Sequence, residues 1–192
     1  MTTTVLLTEL EAVNLMLSGI GEAPVNSIDS SVLSDTSTAK KDLDNACRRV
    51  QQRGWSFNTE YDLVLTPDIY FKKIALPSNT LTVDAADVTN DYVMRAGFLY
   101  DRRLQRFTFT VPVKVNLTSI YSFPDLPFHA QQYALMMAAT SFQRGYLDGD
   151  GGKFTAQDLM ESRMAFNAVE AINEDCNILR DDPGVQDTLR RW

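Results

Sequence analysis

The sequence has 192 residues, 44% hydrophobic and 22% charged, which is typical of a folded globular protein rather than a disordered one. Its 25 acidic residues outnumber the 18 Lys and Arg, and a net charge of −7 argues against a broad phosphate-binding surface. No apolar run approaches the roughly 20 residues of a membrane helix, and the N-terminus lacks a signal peptide's charge and apolar run. We therefore expect a protein that is made in a cytoplasm and has no membrane partner.

Two helices are predicted in the first part of the chain. Thr8 and Glu11 stand three positions apart, as in a capping box, and apolar residues follow at spacings of three and four. After a polar loop, a second helix is predicted from about residue 37 to residue 53. One face of this helix carries its expected buried positions, which are Ala39, Leu43, Ala46 and Val50.

The texture of the sequence changes from Trp55 to about Ser122. Aromatic and β-branched residues alternate with polar ones, and turn residues recur between them. Short strands at this spacing favour an antiparallel sheet or a small sandwich. The predicted strands are Tyr61–Leu65, Phe71–Ala75, Thr80–Asp84, Asp91–Arg95, Phe98–Tyr100, Arg106–Thr110 and Val113–Ile120.

Two further helices are predicted after the strands. The third begins near Asp125, which would cap it, with Pro127 in the first turn and Gly145 at its end. Its apolar run over residues 133–139 predicts burial on nearly all sides. The fourth begins near Thr155, with Asp158 three positions further on, and runs to about Leu179. Apolar residues are expected on one buried side, namely Leu159, Phe166, Val169 and Ile172.

Helices at both ends of the chain therefore flank a β-rich middle. We predict an α+β fold, in which a helical bundle of about four helices contains an inserted antiparallel β-rich domain. Residues 1–57 and 123–180 form the two halves of the bundle, residues 58–122 the inserted domain, and residues 181–192 a C-terminal tail. Neither helix pair alone buries much surface, whereas together they bury one core.

No catalytic, cofactor or metal site is predicted. The single histidine, His129, has no GxSxG or cysteine motif to serve, and we expect a partly exposed helix residue that tunes an interface. The loop 148–151 lacks the ligands that complete an EF-hand, which favours a solvated helix connection. Cys47 and Cys176 form no metal motif and are expected to pack as small hydrophobic residues.

Paired carboxylates leave an enzymatic alternative open. Glycoside hydrolysis needs two of them about 5–10 Å apart and no diagnostic spacing in the sequence. Glu60, Asp62 and Asp68 stand beside aromatic residues of the kind that stack on sugars. With 25 acidic residues, however, such neighbours also arise by chance.

Basic residues occur in three clusters, around Arg48, Arg102 and Arg190. Each cluster could face nucleic acid in a channel or meet the acidic face of a neighbouring copy, and in an acidic protein the subunit contact is favoured. The terminal cluster combines residue types common at binding hot spots, although a fraying tail is the alternative. The predicted interface residues are Arg102, Arg103, Arg190, Arg191 and Trp192.

Several blocks in the same order give the chain a family resemblance over nearly its full length. It resembles the tail tubular protein A family of short-tailed bacteriophages, the podoviruses. The blocks that carry the resemblance are Glu11–Asn14, Ser18–Val25, Arg53–Glu60, Leu76–Asn79, Leu99–Asp101 and Phe123–Pro127.

The resemblance implies a structural protein of the virion tail and a helical bundle with a β domain. It implies a dodecameric ring beneath the portal, joined to the nozzle built by tail tubular protein B, with attachment for tail fibres. DNA would leave through the bore without specific binding, and an acidic bore would let it slide. No catalytic residue follows from the resemblance. A tail-associated polysaccharide hydrolase, alone or in addition, and a binding module without its own ring are the alternatives.

Overall fold

Helices occupy both ends of the described chain and strands its middle, in a computed structural model that describes residues 6–28, 34–147 and 152–181. This arrangement confirms the predicted α+β class. The helices are Glu9–Gly19 (α1), Ser34–Gln51 (α2), Phe128–Tyr146 (α3) and Ala156–Asp181 (α4). The strands are Thr59–Leu65 (β1), Thr80–Ala85 (β2), Tyr92–Arg95 (β3), Phe98–Asp101 (β4) and Val113–Ser119 (β5).

The chain divides into two compact units. The first unit comprises Met1–Val50 together with Ser122–Trp192, and the second comprises Gln51–Tyr121. Among the described residues, no helix combines the length and the apolar character that a membrane crossing requires.

Local signals of the first unit set the ends and faces of its first two helices. The capping box of α1 is confirmed, since Thr8 N donates to Glu11 Oε2 (2.8 Å) and Glu11 N to Thr8 Oγ1 (3.2 Å). The backbone hydrogen bond from Thr8 lowers the pKa of Glu11. Helix α2 begins at Ser34 rather than residue 37, and its predicted stripe is buried as expected, at Ala39, Leu43, Ala46 and Val50.

Cys47 lies beside this stripe and is buried as a small hydrophobic residue, as predicted. Desolvation raises the pKa of its thiol to about 12. The thiol is therefore neutral near pH 7, and the reactive thiolate is scarce. The side chain of Cys176 lies outside the described part of α4.

Side-chain carboxamides connect distant segments of the first unit. The carboxamide of Gln131 accepts from Leu7 N (3.1 Å) and donates to Leu7 O (3.3 Å). Gln143 accepts from Phe154 N (3.0 Å) and donates to Phe154 O (3.0 Å). Each amide thereby imitates a strand partner for a backbone segment that has no strand beside it.

The start of the third helix differs from the prediction. A short 3₁₀ helix covers Phe123–Asp125, and α3 begins only at Phe128 with Pro127 as its N-cap and no side-chain cap. Proline disfavours the helical region for the residue before it, and Leu126 is accordingly extended (ψ 146°). The predicted cap at Asp125 is therefore wrong, as is the predicted end, because α3 continues through Gly145 to Tyr146.

The second unit contains a three-stranded antiparallel sheet in the order β1-β5-β2 and a two-stranded hairpin of β3 and β4. The pairs Leu63↔Val115 and Val83↔Leu117 place apolar side chains on one face of the sheet. Together these elements enclose one apolar core, formed by Ile74, Leu76, Val83, Tyr92, Leu99, Phe109, Val115 and Leu117.

Two predicted strands, Phe71–Ala75 and Arg106–Thr110, are wrong. Left-handed backbone at Lys72 (φ 56°) breaks the extended conformation that a ladder needs in the first segment. The second follows left-handed Gln105 (φ 54°) and makes only an isolated bridge, from Arg106 to Asp101. These segments instead contribute buried side chains, Ile74 and Phe109, and are joined by a bond from Phe109 N to Lys72 O (2.7 Å). The alternating apolar residues of these two segments therefore indicate buried positions but not strands.

A buried polar cluster joins the two ends of the second unit. Gln51 Nε2 donates to Tyr121 O (3.0 Å), and Tyr121 N donates to Gln51 Oε1 (2.7 Å). Asn58 Nδ2 donates to Gln51 O (3.1 Å) and Ser119 O (2.9 Å), and Trp55 N donates to Asn58 Oδ1 (2.7 Å). Polar groups of Gln51 and Tyr121 thus hold the first and last residues of the unit to each other.

The turn between β3 and β4 supplies a first prediction. Ala96 and Gly97 both have positive φ (51° and 77°), as a two-residue type I′ turn requires. Asn tolerates this conformation better than Ala, so Ala96→Asn should raise the free energy of unfolding by about 0.5–1 kcal/mol in urea titrations. As a control, Gly97→Ala should lower it by about 1 kcal/mol through strain alone, because its added Cβ meets no atom within 4 Å. A lower unfolding midpoint for Ala96→Asn would contradict the assigned turn.

The Gln143 pair supplies a second prediction. Gln143→Glu keeps the shape of the side chain but replaces the donating amide by a carboxylate oxygen that faces Phe154 O. Because this site is buried, we expect a loss of roughly 2–3 kcal/mol in the free energy of unfolding at pH 7. The matched control is Gln52→Glu, an exposed residue that follows α2, which should stay within about 0.5 kcal/mol of the wild type. Equal effects of the two substitutions would show that the carboxamide pair contributes little.

Candidate functional site

Helix α4 contacts the rest of the first unit through one narrow face. Of the four residues expected on its buried side, Phe166 is buried and Leu159 is partly buried. Val169 and Ile172 are instead exposed, Ile172 by 66%, so their predicted burial is wrong. Helix α4 is 26 residues long and has apolar residues on more than one side. The helix that it contacts can cover only one of those sides.

The attached face of α4 is held by aromatic and polar contacts with α3. The Phe166 ring stacks on those of His129 (5.5 Å between centroids) and Tyr133 (5.3 Å). His129 Nε2 lies 2.8 Å from Oε1 of Glu170, a carboxylate that is only 1% exposed. His129 is partly exposed, as expected, and its ring connects α3 to α4 within one chain.

The start of α4 is fixed by a second reciprocal cap, which confirms the predicted pairing of Thr155 with Asp158. Thr155 N donates to Asp158 Oδ2 (2.8 Å), and Asp158 N donates to Thr155 Oγ1 (3.2 Å). The hydrogen bond from the Thr155 side chain lowers the pKa of Asp158. Just before it, Phe154 is held by Gln143, and Lys153 Nζ donates to Ser18 Oγ (2.9 Å) on α1.

The opposite face of α4 presents apolar side chains to solvent. Residues at steps of four form one continuous line along the helix, which we call the α4 row: Met160, Met164, Ala168 and Ile172. The two methionines are 64% and 57% exposed. Exposed apolar side chains in one line make this face a candidate contact surface, and methionine adapts readily to a partner's shape.

A turn in the second unit exposes three consecutive large apolar residues, Ile69, Tyr70 and Phe71, which we call the aromatic turn. Tyr70 is 87% exposed. Asp68 Oδ1 accepts hydrogen bonds from Tyr70 N (2.9 Å) and Phe71 N (2.8 Å), which fixes the shape of the turn. Asp68, a candidate carboxylate for sugar chemistry, therefore shapes the backbone here.

A second loop of this unit, residues 102–106, carries two predicted interface residues, and we call it the arginine loop. Asp101 and Arg106 close its base through Asp101 N to Arg106 O (2.9 Å) and Arg106 N to Asp101 O (3.2 Å). Buried Asp101 also accepts from Leu104 N (2.9 Å). The side chains of Arg102, Arg103 and Leu104 consequently project to solvent, Leu104 being 59% exposed.

The remaining predicted residues fall in different places. Arg190, Arg191, Trp192 and the loop 148–151 lie outside the described residues. Glu60 and Asp62 are exposed on β1 at its irregular pairing with β5. Within residues 6–28, 34–147 and 152–181, no group of three or more His, Cys, Asp or Glu side chains is placed to hold a metal ion.

Sequence reasoning missed the α4 row, the aromatic turn and Leu104. Four-residue spacing of Met160, Met164 and Ile172 was a usable signal, but it indicates an apolar face without indicating what covers it. The run Ile69-Tyr70-Phe71 lies in a turn although part of it is predicted as a strand, because aromatic and β-branched residues are typical of strands.

Comparison with known proteins identifies the family to which the sequence is related. The family model described as tail tubular protein matches residues 10–176. The chain is also 34% identical over 145 residues to tail tubular protein A of Klebsiella phage KP34. The matched region covers 75% of this chain and 74% of that protein.

A match of this length over both units assigns the class of protein. The chain belongs to the tail tubular protein family, as the sequence resemblance indicated. It is a structural component of a bacteriophage tail that assembles with other tail proteins.

The attachment of α4 supplies a third prediction. Glu170→Ala removes the carboxylate that His129 contacts and leaves a space beside Phe166, so the free energy of unfolding should fall by roughly 2–3 kcal/mol. Asn167→Ala, an exposed neighbour on the same helix, should change it by less than about 0.5 kcal/mol. Urea titration followed by circular dichroism measures both. If the two variants unfold alike, α4 is held mainly by contacts other than this pair.

Proposed function

We propose that the chain forms a dodecameric ring that joins the portal of the phage head to the nozzle built by tail tubular protein B. The observation that supports this proposal most directly is the presence of solvent-exposed apolar surfaces on both units of a tail structural protein. A closed ring needs two different faces on each subunit. The α4 row and the loops of the second unit supply such faces.

The remaining surfaces suit further tail partners. The aromatic turn is rigidly shaped by Asp68 and projects three large side chains, which is the form of an anchor that fills a partner's apolar pocket. A ring with twelve such turns would offer repeated attachment points for the portal, the nozzle or a tail fibre.

DNA passage fits the charge of the chain. The net charge is −7, and a bore lined by acidic residues repels phosphates and lets DNA slide, whereas a basic bore would retain it. The protein in this role guides DNA without binding it specifically. Synthesis in the host cytoplasm and assembly into the virion tail complete the proposal.

The position and copy number of the chain in intact particles test this proposal. We expect twelve copies in one ring between the portal and the nozzle in an electron cryomicroscopy reconstruction of the virion. Light scattering of the purified chain, with and without the portal protein, should show a portal-bound assembly of the same stoichiometry. A chain found singly on a tail fibre, or a ring with a strongly positive bore, would contradict the proposal.

The polysaccharide-degrading alternative gives a different result. It requires release of reducing sugars from host polysaccharide by the purified chain, and loss of that activity on substitution of Glu60 or Asp62. A structural role alone gives no release above that of a heat-unfolded sample.

A further inference from the structure

We infer that the arginine loop of one copy docks on the α4 row of the next copy. The contact would be heterologous, since a loop of the second unit in one chain meets a helix of the first unit in another. The inference rests on the proposed ring and assigns two of the faces through which its subunits meet.

The α4 row is an exposed surface with space for a partner. Helix α4 is 26 residues long, or about 39 Å, and its described buried residues, Phe166 and Glu170, lie on one side. The α4 row lies on another side, where Met160, Met164 and Ile172 are each more than half exposed. Covering these side chains would remove apolar area from water, which favours association.

The charge of α4 selects a basic partner. The helix contains six acidic residues, of which Glu170 is buried, and two basic residues, and the exposed Glu161 directly follows Met160 in the sequence. Arg163 is the basic residue of α4 whose side chain the structure describes. It lies toward the edge of the α4 row that is opposite Glu161. An apolar row in a mainly negative field favours a partner with an apolar tip surrounded by cations.

The arginine loop has this composition. Leu104 is exposed in this loop, and the exposed residues Arg102, Arg103 and Arg106 lie within two positions of it in the sequence. Arg102 lies 3.5 Å from Asp91, while neither Arg103 nor Arg106 has an ion pair within the part of the chain that the structure describes. Because Asp101 fixes the loop from inside, little conformational entropy is lost when the loop binds.

The charge of the whole chain points to another copy as the occupant. The second unit holds eight of the 18 Lys and Arg residues and seven of the 25 Asp and Glu residues. The first unit therefore holds ten basic and 18 acidic residues. Contact between the second unit of one copy and the first unit of the next therefore joins surfaces of complementary charge. The aromatic turn is a weaker match for α4, since Asp68 precedes it and its cations, Lys72 and Lys73, stand on one side only.

Cysteine cross-linking of the full-length chain tests the contact. Leu104→Cys and Met164→Cys both alter exposed side chains, so each variant should fold like the wild type, and urea titration checks this. With a short bis-maleimide, a mixture of the two single variants should give dimers, and the double variant should give a ladder of oligomers. The parent chain measures the background from Cys47 and Cys176. The matched control pairs Met164→Cys with Val88→Cys, a fully exposed residue of the second unit.

A charge reversal tests the electrostatic part. In the Leu104→Cys, Met164→Cys background, Arg103→Glu alone and Glu161→Arg alone should each lower the cross-linking yield about tenfold. The two reversals together should restore it to within about threefold of the parent pair, because the pair of opposite charges is re-formed. Loss without rescue would show that these charges do not face each other.

The reactions are run on the purified chain and on tail particles assembled with the same variants. A ladder from the Leu104–Met164 pair in either sample supports the contact. Yields no higher than those of the Val88–Met164 pair in both samples overturn it. If the particles contain the ring but this pair does not cross-link, the docking inference fails and the proposed ring stands. Absence of the chain from a portal-proximal ring refutes the proposed function itself.

Discussion

Side-chain carboxamides that pair with the backbone hold the ends and connections of this fold together. Asn14, Gln51, Gln131 and Gln143 each bond both the N–H and the C=O of one residue at least 11 positions away. Segments without a strand partner would otherwise leave these backbone groups unsatisfied on burial, at a cost of several kcal/mol. In both units, irregular chain can therefore be buried against helices or strands.

The exposed surfaces proposed for assembly depend on these anchors. Gln143 fixes Phe154, which directly precedes the Thr155 cap, so the residue before the first turn of α4 is held in place. His129 and Phe166 then orient the helix on α3 and leave the α4 row in solvent. Asp68 and Asp101 act similarly in the second unit, where each shapes a loop from within. Rigid presentation lowers the entropy lost on association, which suits a protein whose role is assembly.

The parts of the fold that could be predicted are those set by near neighbours. The capping pairs Thr8–Glu11 and Thr155–Asp158 were found because each acts over three residues. The buried stripe of α2 was predicted correctly because its apolar residues recur on a single face of the helix, and that face is the one that is buried. Prediction failed where backbone geometry overrode composition, as at left-handed Lys72, and where Leu126 had to be extended before proline.

The sequence by itself determined the α+β class, the caps, most strand positions and, through ordered blocks of residues, the tail tubular family. Only the tertiary structure decided which apolar residues face solvent. Helical periodicity predicts an apolar side of α4, but burial depends on which neighbour covers that side, and α3 covers Phe166 while Ile172 stays exposed. Likewise, the sequence predicted Arg102 and Arg103 as interface residues, whereas only the structure showed that Leu104 projects beside them, because the hydrogen bond from Leu104 N to Asp101 Oδ1 fixes the shape of that loop.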